Sequence, residues 1–208
     1  MMKIQLQWEK EDSFRGENVR VLCGCDEAGR GPLAGPVYAA AVILPRTFSL
    51  DGLNDSKKLT PARRDLLFDR IRAEAEDWCI ARAEVEEIEE LNILNAALLA
   101  MRRAVEGLRN LPDAALIDGN VARGFPVPAF SVVHGDALCP SIAAASVLAK
   151  VARDRYCAEL DAAYPGYGFA VHKGYGTKAH YAALEKLGPC PAHRMSFLRS
   201  FFEKHTDH

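Results

Sequence analysis

Apolar residues in this chain follow two patterns. Short, nearly unbroken runs mark buried strands: "VRVLCGC" at 19–25, "VYAAAVIL" at 37–44, "WCIARAEV" at 78–85, "AALIDGN" from Ala114 and "AFSVVHGD" from Ala129. Longer segments have a helical period. Thr60 is placed as an N-cap and Pro61 as the first helical residue of a segment that puts Leu66, Leu67, Ile71 and Ala75 on one face. "NILNAALLAMRRAVEGL" predicts an amphipathic helix ending near Gly107, and Ser141 to Tyr164 a long helix whose alanines permit close packing on a sheet. The first two strands are joined by a short glycine-rich turn, which suggests an antiparallel pair. The expected order is βββαβαβα or close to it, an α/β protein with a mixed sheet flanked by helices. From residue 164 the chain turns rich in Gly, Tyr, His and Lys, and reads as a loop followed by short helices. The expected organisation is a tail at 1–18, a main domain at 19–163 and a small helical subdomain at 164–208.

Composition narrows the class. With 208 residues, 49% of them hydrophobic and 26% charged, the chain has the make-up of a globular domain rather than a disordered one. No secretory leader is legible at the N-terminus, and no run approaches the about 18 apolar residues of a membrane span, so a cytoplasmic protein without membrane contact is expected. The six cysteines, Cys23, Cys25, Cys79, Cys139, Cys157 and Cys190, lie mostly within apolar runs and lack zinc-like pairing, which favours reduced thiols. A net charge of −2 leaves any nucleic-acid contact to a local basic patch.

Acids stand at the ends of three of the strands: Asp26 with Glu27, Asp118, and Asp136. Neighbouring strands bring their ends together, so these positions predict a cluster of four carboxylates. Such a cluster stays ionised only with something positive between its members, a metal ion or a basic partner. An oxygen-only donor set suits Mg²⁺ or Mn²⁺, which retain waters and share phosphate oxygens, and so suggests phosphoryl transfer. Strand alternation would send Asp26 and Glu27 to opposite faces unless the strand stops or bulges there, which Ala28 and Gly29 make easy. The following "GRGPLAG" lacks the Lys-Ser/Thr ending of a nucleotide-binding loop and precedes a strand. Its bare amides can instead approach a sugar or phosphate closely.

At these residues the chain resembles the type 2 ribonuclease H family, in its bacterial ribonuclease HII branch. The motifs are "DEAGRGPLAGPV", "DSKKL" at Asp55–Leu59, "DGN" at Asp118, "GD" at Asp136, "AAASVLAKVARD" and "HKGYGTKAH" at His172–His180, spread from about Val21 to Phe197. The resemblance implies a ribonuclease H-like five-stranded mixed sheet with a C-terminal helical extension on the catalytic face. It also implies endonucleolytic cleavage of RNA in RNA/DNA hybrids and on the 5′ side of ribonucleotides embedded in duplex DNA, leaving 3′-hydroxyl and 5′-phosphate ends. Asp26, Glu27, Asp118 and Asp136 resemble the catalytic acids that hold Mg²⁺ or Mn²⁺, two ions with substrate bound. Gly29, Arg30 and Gly31 resemble the tripeptide that senses the ribose 2′-hydroxyl, and Tyr175 the tyrosine that stacks on the adjoining deoxyribose.

Lys57, Lys150 and Lys173 are candidates for phosphate contact, whereas Lys58 and Arg153 are read as parts of solvated faces. His172, His180 and His193 are given structural roles. The segment before the first strand is too short for the additional domain of ribonuclease HIII. A junction resolvase would share the acids but not need "GRG" and Tyr175, and a silent hybrid-binding module would not need all four acids. A monomer is expected. In "MSFLRSFFEKH", Met195, Leu198, Phe201 and Phe202 share a helical face. That spacing is similar to sliding-clamp-binding peptides, although apolar stripes of this kind ordinarily pack on their own domain.

Overall fold

The computed structural model describes residues 6–53 and 60–205. Its strands are β1 Leu22–Ala28, β2 Val37–Ile43, β3 Asp77–Ala83, β4 Ala114–Asp118 and β5 Ala129–Val132. Its helices are α1 Trp8–Asp12, α2 Pro61–Glu74, α3 Val85–Glu106, α4 Gly135–Leu138, α5 Pro140–Ala163, α6 Phe169–His172, α7 Lys178–Leu187 and α8 Arg199–His205. The strands form one five-stranded sheet in the order β3-β2-β1-β4-β5. β1–β2 and β2–β3 pair antiparallel and β1–β4 and β4–β5 parallel, which is the expected mixed sheet. The order of elements follows the segments read from the sequence but not the string βββαβαβα: α2 separates β2 from β3, and no helix separates β4 from β5. The parallel crossover between those two strands is a loop over residues 119–128, whose Val121, Phe125 and Val127 pack on the core beneath α3.

β2 reads as an unbroken apolar run because both of its faces are covered. Ala39 and Ala41 face the core built with α3, while Ala40 and Val42 face the core built with α2 and α5. The helices follow their periodicity with two corrections. In α2 the buried residues are Leu67, Phe68 and Ile71, whereas Leu66 is 71% exposed. β3 stops at Ala83 rather than Val85, because Glu84 opens α3 with its N–H donating to the Glu87 carboxylate at 2.9 Å. Within α3 the backbone breaks at Asn92 (φ 65°), whose side-chain oxygen then caps the N–H groups of Leu94 and Asn95, matching the helix start read from the sequence.

Two contacts set the position of α5. Gly24 in β1 has no room for a side chain, since a methyl there would lie 2.2 Å from Ile142 N. The helix therefore rests directly on the central strand, and an added methyl would cost about 1–3 kcal/mol or displace it. Glu11 of α1, fully buried, accepts from Ser141 N and Ser141 Oγ at 2.9 Å each and caps the helix from another element. The segment expected as a tail thus carries a helix that packs on the core.

The residues after 163 pack around one end of the sheet: Tyr167, Phe169, Leu184, Ala192, Leu198 and Phe201 enclose Leu33 and Ala34 of the β1–β2 loop together with Leu160. This joins the glycine loop to the C-terminal segment.

Candidate active site

The carboxylates converge where β1 and β4 end. β1 runs on to Ala28 in regular register with β2, so the strand neither stops nor bulges at Asp26. Asp26 pairs with Ala40 and Glu27 with Ala39, which belong to opposite core faces. Both acids still line one cleft of about 350 Å³, together with Asp118. The cleft opens beyond the last β1–β4 pair, Cys25–Ile117, and Asp118 is the next residue of β4. Asp118 Oδ1 accepts from Gly135 N at 2.7 Å and from Asp136 N at 3.4 Å. Asp136 does not end a strand. β5 stops at Val132, left-handed His134 (φ 57°) turns the chain, and Asp136 sits in the first turn of α4. Its backbone stands beside Asp118, but its side chain is not among the residues lining the cleft.

The site concentrates buried negative charge. Burial pushes the Asp26 carboxyl well above the usual range, repulsion from Glu27 and Asp118 adds to it, and a hydrogen bond from Ser146 opposes it. Burial also raises Glu27, against the Arg30 guanidinium, whose Nη1 lies 3.2 Å from Glu27 Oε1. Among the described residues no basic group pairs with Asp26. A buried carboxylate with like-charged neighbours and no cation is stabilised as an anion by a bound ion. No three His, Cys, Asp or Glu side chains among the described residues already enclose a metal position. Mg²⁺ and Mn²⁺ are held by few carboxylates, with positions left for water and phosphate. The donor set fits such a cation.

Besides Ala28 of β1, the remaining lining residues come from four directions: Gly29 from the loop, Arg64 from α2, Ser146, Val147 and Lys150 from α5, and Tyr175 from the loop after α6. Ser146 and Lys150 are one helical turn apart, above β1 because Gly24 lets α5 approach. Gly29 adopts φ 103° and packs against Arg153: a side chain there would meet Arg153 Nε at 2.1 Å. Gly31 has room, its nearest neighbour being the Tyr175 ring. Tyr175 is 45% exposed and faces the cleft instead of the core.

Lys150 lies at the cleft, with Nζ 2.7 Å from Asp154 Oδ1, and Arg64 Nη1 is 3.6 Å from Asp154 Oδ2. Lys173 is left-handed (φ 55°) and directs Nζ to the Asp154 carbonyl at 3.4 Å, in a side groove outside the carboxylate cleft. Lys57 and Lys58 lie outside the described residues. The reading of Arg153 as solvated is corrected. It is 1% exposed and donates to the carbonyls of Lys173 (3.0 Å), Ala34 (3.2 Å) and Pro36 (3.4 Å).

The histidines hold Tyr175 from behind. Cys190 N–H donates to His193 Nδ1 at 2.9 Å, His193 and His180 share a proton between their Nε2 atoms at 3.0 Å, and His180 Nδ1 reaches the Tyr175 carbonyl at 3.0 Å. The backbone partners at both ends dictate the tautomers: His180 carries its proton on Nδ1 and His193 on Nε2. Ser146, Arg64 and Arg194 were given no role from sequence. Ser146 had a signal, standing one helical turn before Lys150 on the same face.

The sequence profile of the family described as Ribonuclease HII matches residues 23–201. A Ribonuclease HII of Albidiferax ferrireducens is 59% identical over 188 residues, which cover 90% of this chain and 91% of the relative. The RNase HII in the PCNA complex from Archaeoglobus fulgidus superimposes with a TM-score of 0.72 at 23% identity, covering 85% of this chain and 94% of that one. Bst-RNase HIII, solved in complex with Mn²⁺, gives a TM-score of 0.58 at 18% identity over 82% of this chain and 63% of that one. With the profile running from Cys23 in β1 through the other four strands, the four acids and the loop-bearing C-terminal segment, the chain belongs to the ribonuclease HII family.

Proposed function

We propose that Asp26, Glu27, Asp118 and Asp136 form the catalytic centre of a divalent-metal-dependent endoribonuclease that cuts on the 5′ side of a ribonucleotide in duplex DNA. As a member of its family the chain is a ribonuclease H, acting on RNA in RNA/DNA hybrids. The observation that carries the proposal is the convergence of Asp26, Glu27 and Asp118 on one cleft with Gly29, Lys150 and Tyr175.

Asp26, Glu27, Asp118 and Asp136 would hold Mg²⁺ or Mn²⁺, two ions with substrate present. When bound, such ions supply an activated water and neutralise the charge on the leaving oxygen. The chain's own residues do the rest. Gly135 N–H and Asp136 N–H keep the Asp118 carboxylate turned to the cleft. Arg30 is the resting counter-charge of Glu27 and gives it up when the site fills. Lys150 neutralises a phosphate of the scissile strand, with Lys57 and Lys173 serving flanking phosphates. Gly29, Arg30 and Gly31 bring main-chain groups to the 2′-hydroxyl, the group that separates RNA from DNA. Tyr175 stacks on the neighbouring deoxyribose, so a ribose-to-deoxyribose step fits both. Hydrolysis leaves a 3′-hydroxyl and a 5′-phosphate.

The enzyme is taken to work as a cytoplasmic monomer, and among the described residues no helix is long and apolar enough to cross a membrane. Contact with a sliding clamp through the C-terminal segment belongs to the same reading, supported by the Archaeoglobus fulgidus neighbour solved in a complex with PCNA. Phe201 is buried and stacks on Tyr181, and Phe202 joins the same cluster, so such a contact would use exposed Met195 rather than that pair. Incubation with a duplex carrying one ribonucleotide tests the activity. A single Mg²⁺-dependent cut 5′ to the ribonucleotide is expected. Equal cutting of the all-DNA duplex would overturn the proposal.

A further inference from the structure

If main-chain atoms read the sugar, the shape of the loop that carries them decides the reading. That loop, residues 29–36, takes its hydrogen bonds from the C-terminal segment: Leu33 N to Gly174 O, Gly35 N to Ala192 O and Arg194 N to Leu33 O, each at 2.8 Å. Its carbonyl oxygens gather on one side chain. Arg194 is 0% exposed, and its guanidinium donates to Gly29 O at 2.7 Å, Pro32 O at 2.9 Å, Arg30 O at 3.0 Å and Gly35 O at 2.8 Å. These bonds use four of the five N–H groups of a rigid, planar fork, so they fix the four carbonyls relative to one another.

The peptide unit is planar and trans, so turning a carbonyl one way turns the next N–H the other way. With the carbonyls of Gly29 and Arg30 drawn inward, the N–H groups of Arg30 and Gly31 face away from Arg194. Neither has an acceptor among the described residues. Among the described residues no salt bridge joins a carboxylate to Arg194 or to Arg153, which binds the carbonyls of Ala34 and Pro36 in the same loop, and Glu89 acts on Arg194 only from farther off. Positive charge therefore stands behind the two free amides and favours their binding an oxygen lone pair.

We propose that Arg194 is a positioning residue for ribose recognition: by drawing the carbonyls of Gly29 and Arg30 inward it presents the amides of Arg30 and Gly31 as paired donors to the 2′-hydroxyl oxygen. The inference rests on the reading of this loop as the sugar sensor. A lysine at 194 keeps the charge but cannot hold four carbonyls in one plane. Losing the alignment of one or two donors corresponds to about a tenfold effect.

The test compares the parent with Arg194→Lys for kcat and KM on a duplex with one ribonucleotide, and for the Ki of the matching all-DNA duplex as competitor. Arg194→Lys is expected to raise KM about tenfold while leaving Ki unchanged, so that preference for the ribose collapses. A parent that prefers the ribonucleotide and a folded Arg194→Lys that keeps the preference would overturn the role of Arg194 alone. A parent without preference would remove the sugar-sensor reading and the inference with it. Should Arg194→Lys fail to fold, amide hydrogen exchange in the parent, without divalent ions, decides. Exchange at Arg30 and Gly31 is expected to slow with the ribonucleotide duplex and not with DNA, and equal slowing, or none, overturns the inference.

Discussion

The Tyr175 ring lies against Gly31: a methyl group on that glycine would sit 3.5 Å from Tyr175 Cε1, an ordinary contact. Gly31→Ala should therefore fold normally while narrowing the gap between loop and ring that a sugar would enter. Its melting temperature is expected to match the parent's, with cleavage at a lone ribonucleotide reduced at least tenfold. Equal cleavage would remove the loop from substrate recognition.

Tyr175 itself contributes by stacking. A ring stacked on a nucleotide is worth about 1–3 kcal/mol, roughly a 5- to 150-fold effect. Tyr175→Ala should lose that much in kcat/KM and Tyr175→Phe little. A Phe variant as poor as Ala would assign the role to the hydroxyl.

Asp26 trades stability for chemistry. Its carboxyl is pushed up by burial, Glu27 and Asp118, so above the unfolded pKa the folded chain binds the proton more tightly, and stability falls as pH rises through the shifted range. Asp26→Asn removes that cost at neutral pH, and its Oδ1 can still accept from Glu27 N, which now lies at 2.7 Å. Without divalent ions the variant should melt a few degrees higher, at about 2–4 °C per kcal/mol for a chain of this size. The parent should gain melting temperature on adding Mg²⁺ or Mn²⁺ and the variant much less. A variant that melts lower without metal would contradict the repulsion.

The histidine relay sets an acid limit. Burial lowers the pKa of His180, and burial together with His180 lowers that of His193 to about 4, from 6.5. Between those pH values the unfolded chain binds more protons, so stability is full above about pH 6.5 and is lost as pH falls toward 4. Urea unfolding at stepped pH should show this slope. His193→Gln should flatten it, and a slope unchanged by that substitution would place its origin elsewhere.

The sheet and three of the acids were legible because a strand's apolar run ends where its acid stands, as at Ile117–Asp118. Asp136 reads from the sequence as the end of a strand and stands instead in the first turn of a helix, since only the left-handed turn at His134 separates it from β5. Alternation correctly set Asp26 and Glu27 on opposite faces of β1 and wrongly asked for a break, because it contains no information about a cleft that opens over a neighbouring strand's end. Arg153 and Arg194 were illegible for a different reason. A guanidinium is ordinarily solvated, and what buries these two is a set of carbonyls from a distant loop, which have no signature in side-chain type. Leu66 was misplaced because its face of α2 differs from that of Leu67 and Ile71 by one residue's rotation.

The most direct measurement is cleavage of a duplex containing one ribonucleotide by the parent and by Asp118→Asn, in Mg²⁺, with binding of the same duplex measured alongside. Asn keeps the shape that accepts from Gly135 N and removes the charge that would hold the ion. The expected result is a cut 5′ to the ribonucleotide by the parent, a loss of at least about a thousandfold in the variant, and binding unchanged within a few fold. Near-parent cleavage by Asp118→Asn would contradict the assignment of this carboxylate cluster as the catalytic centre.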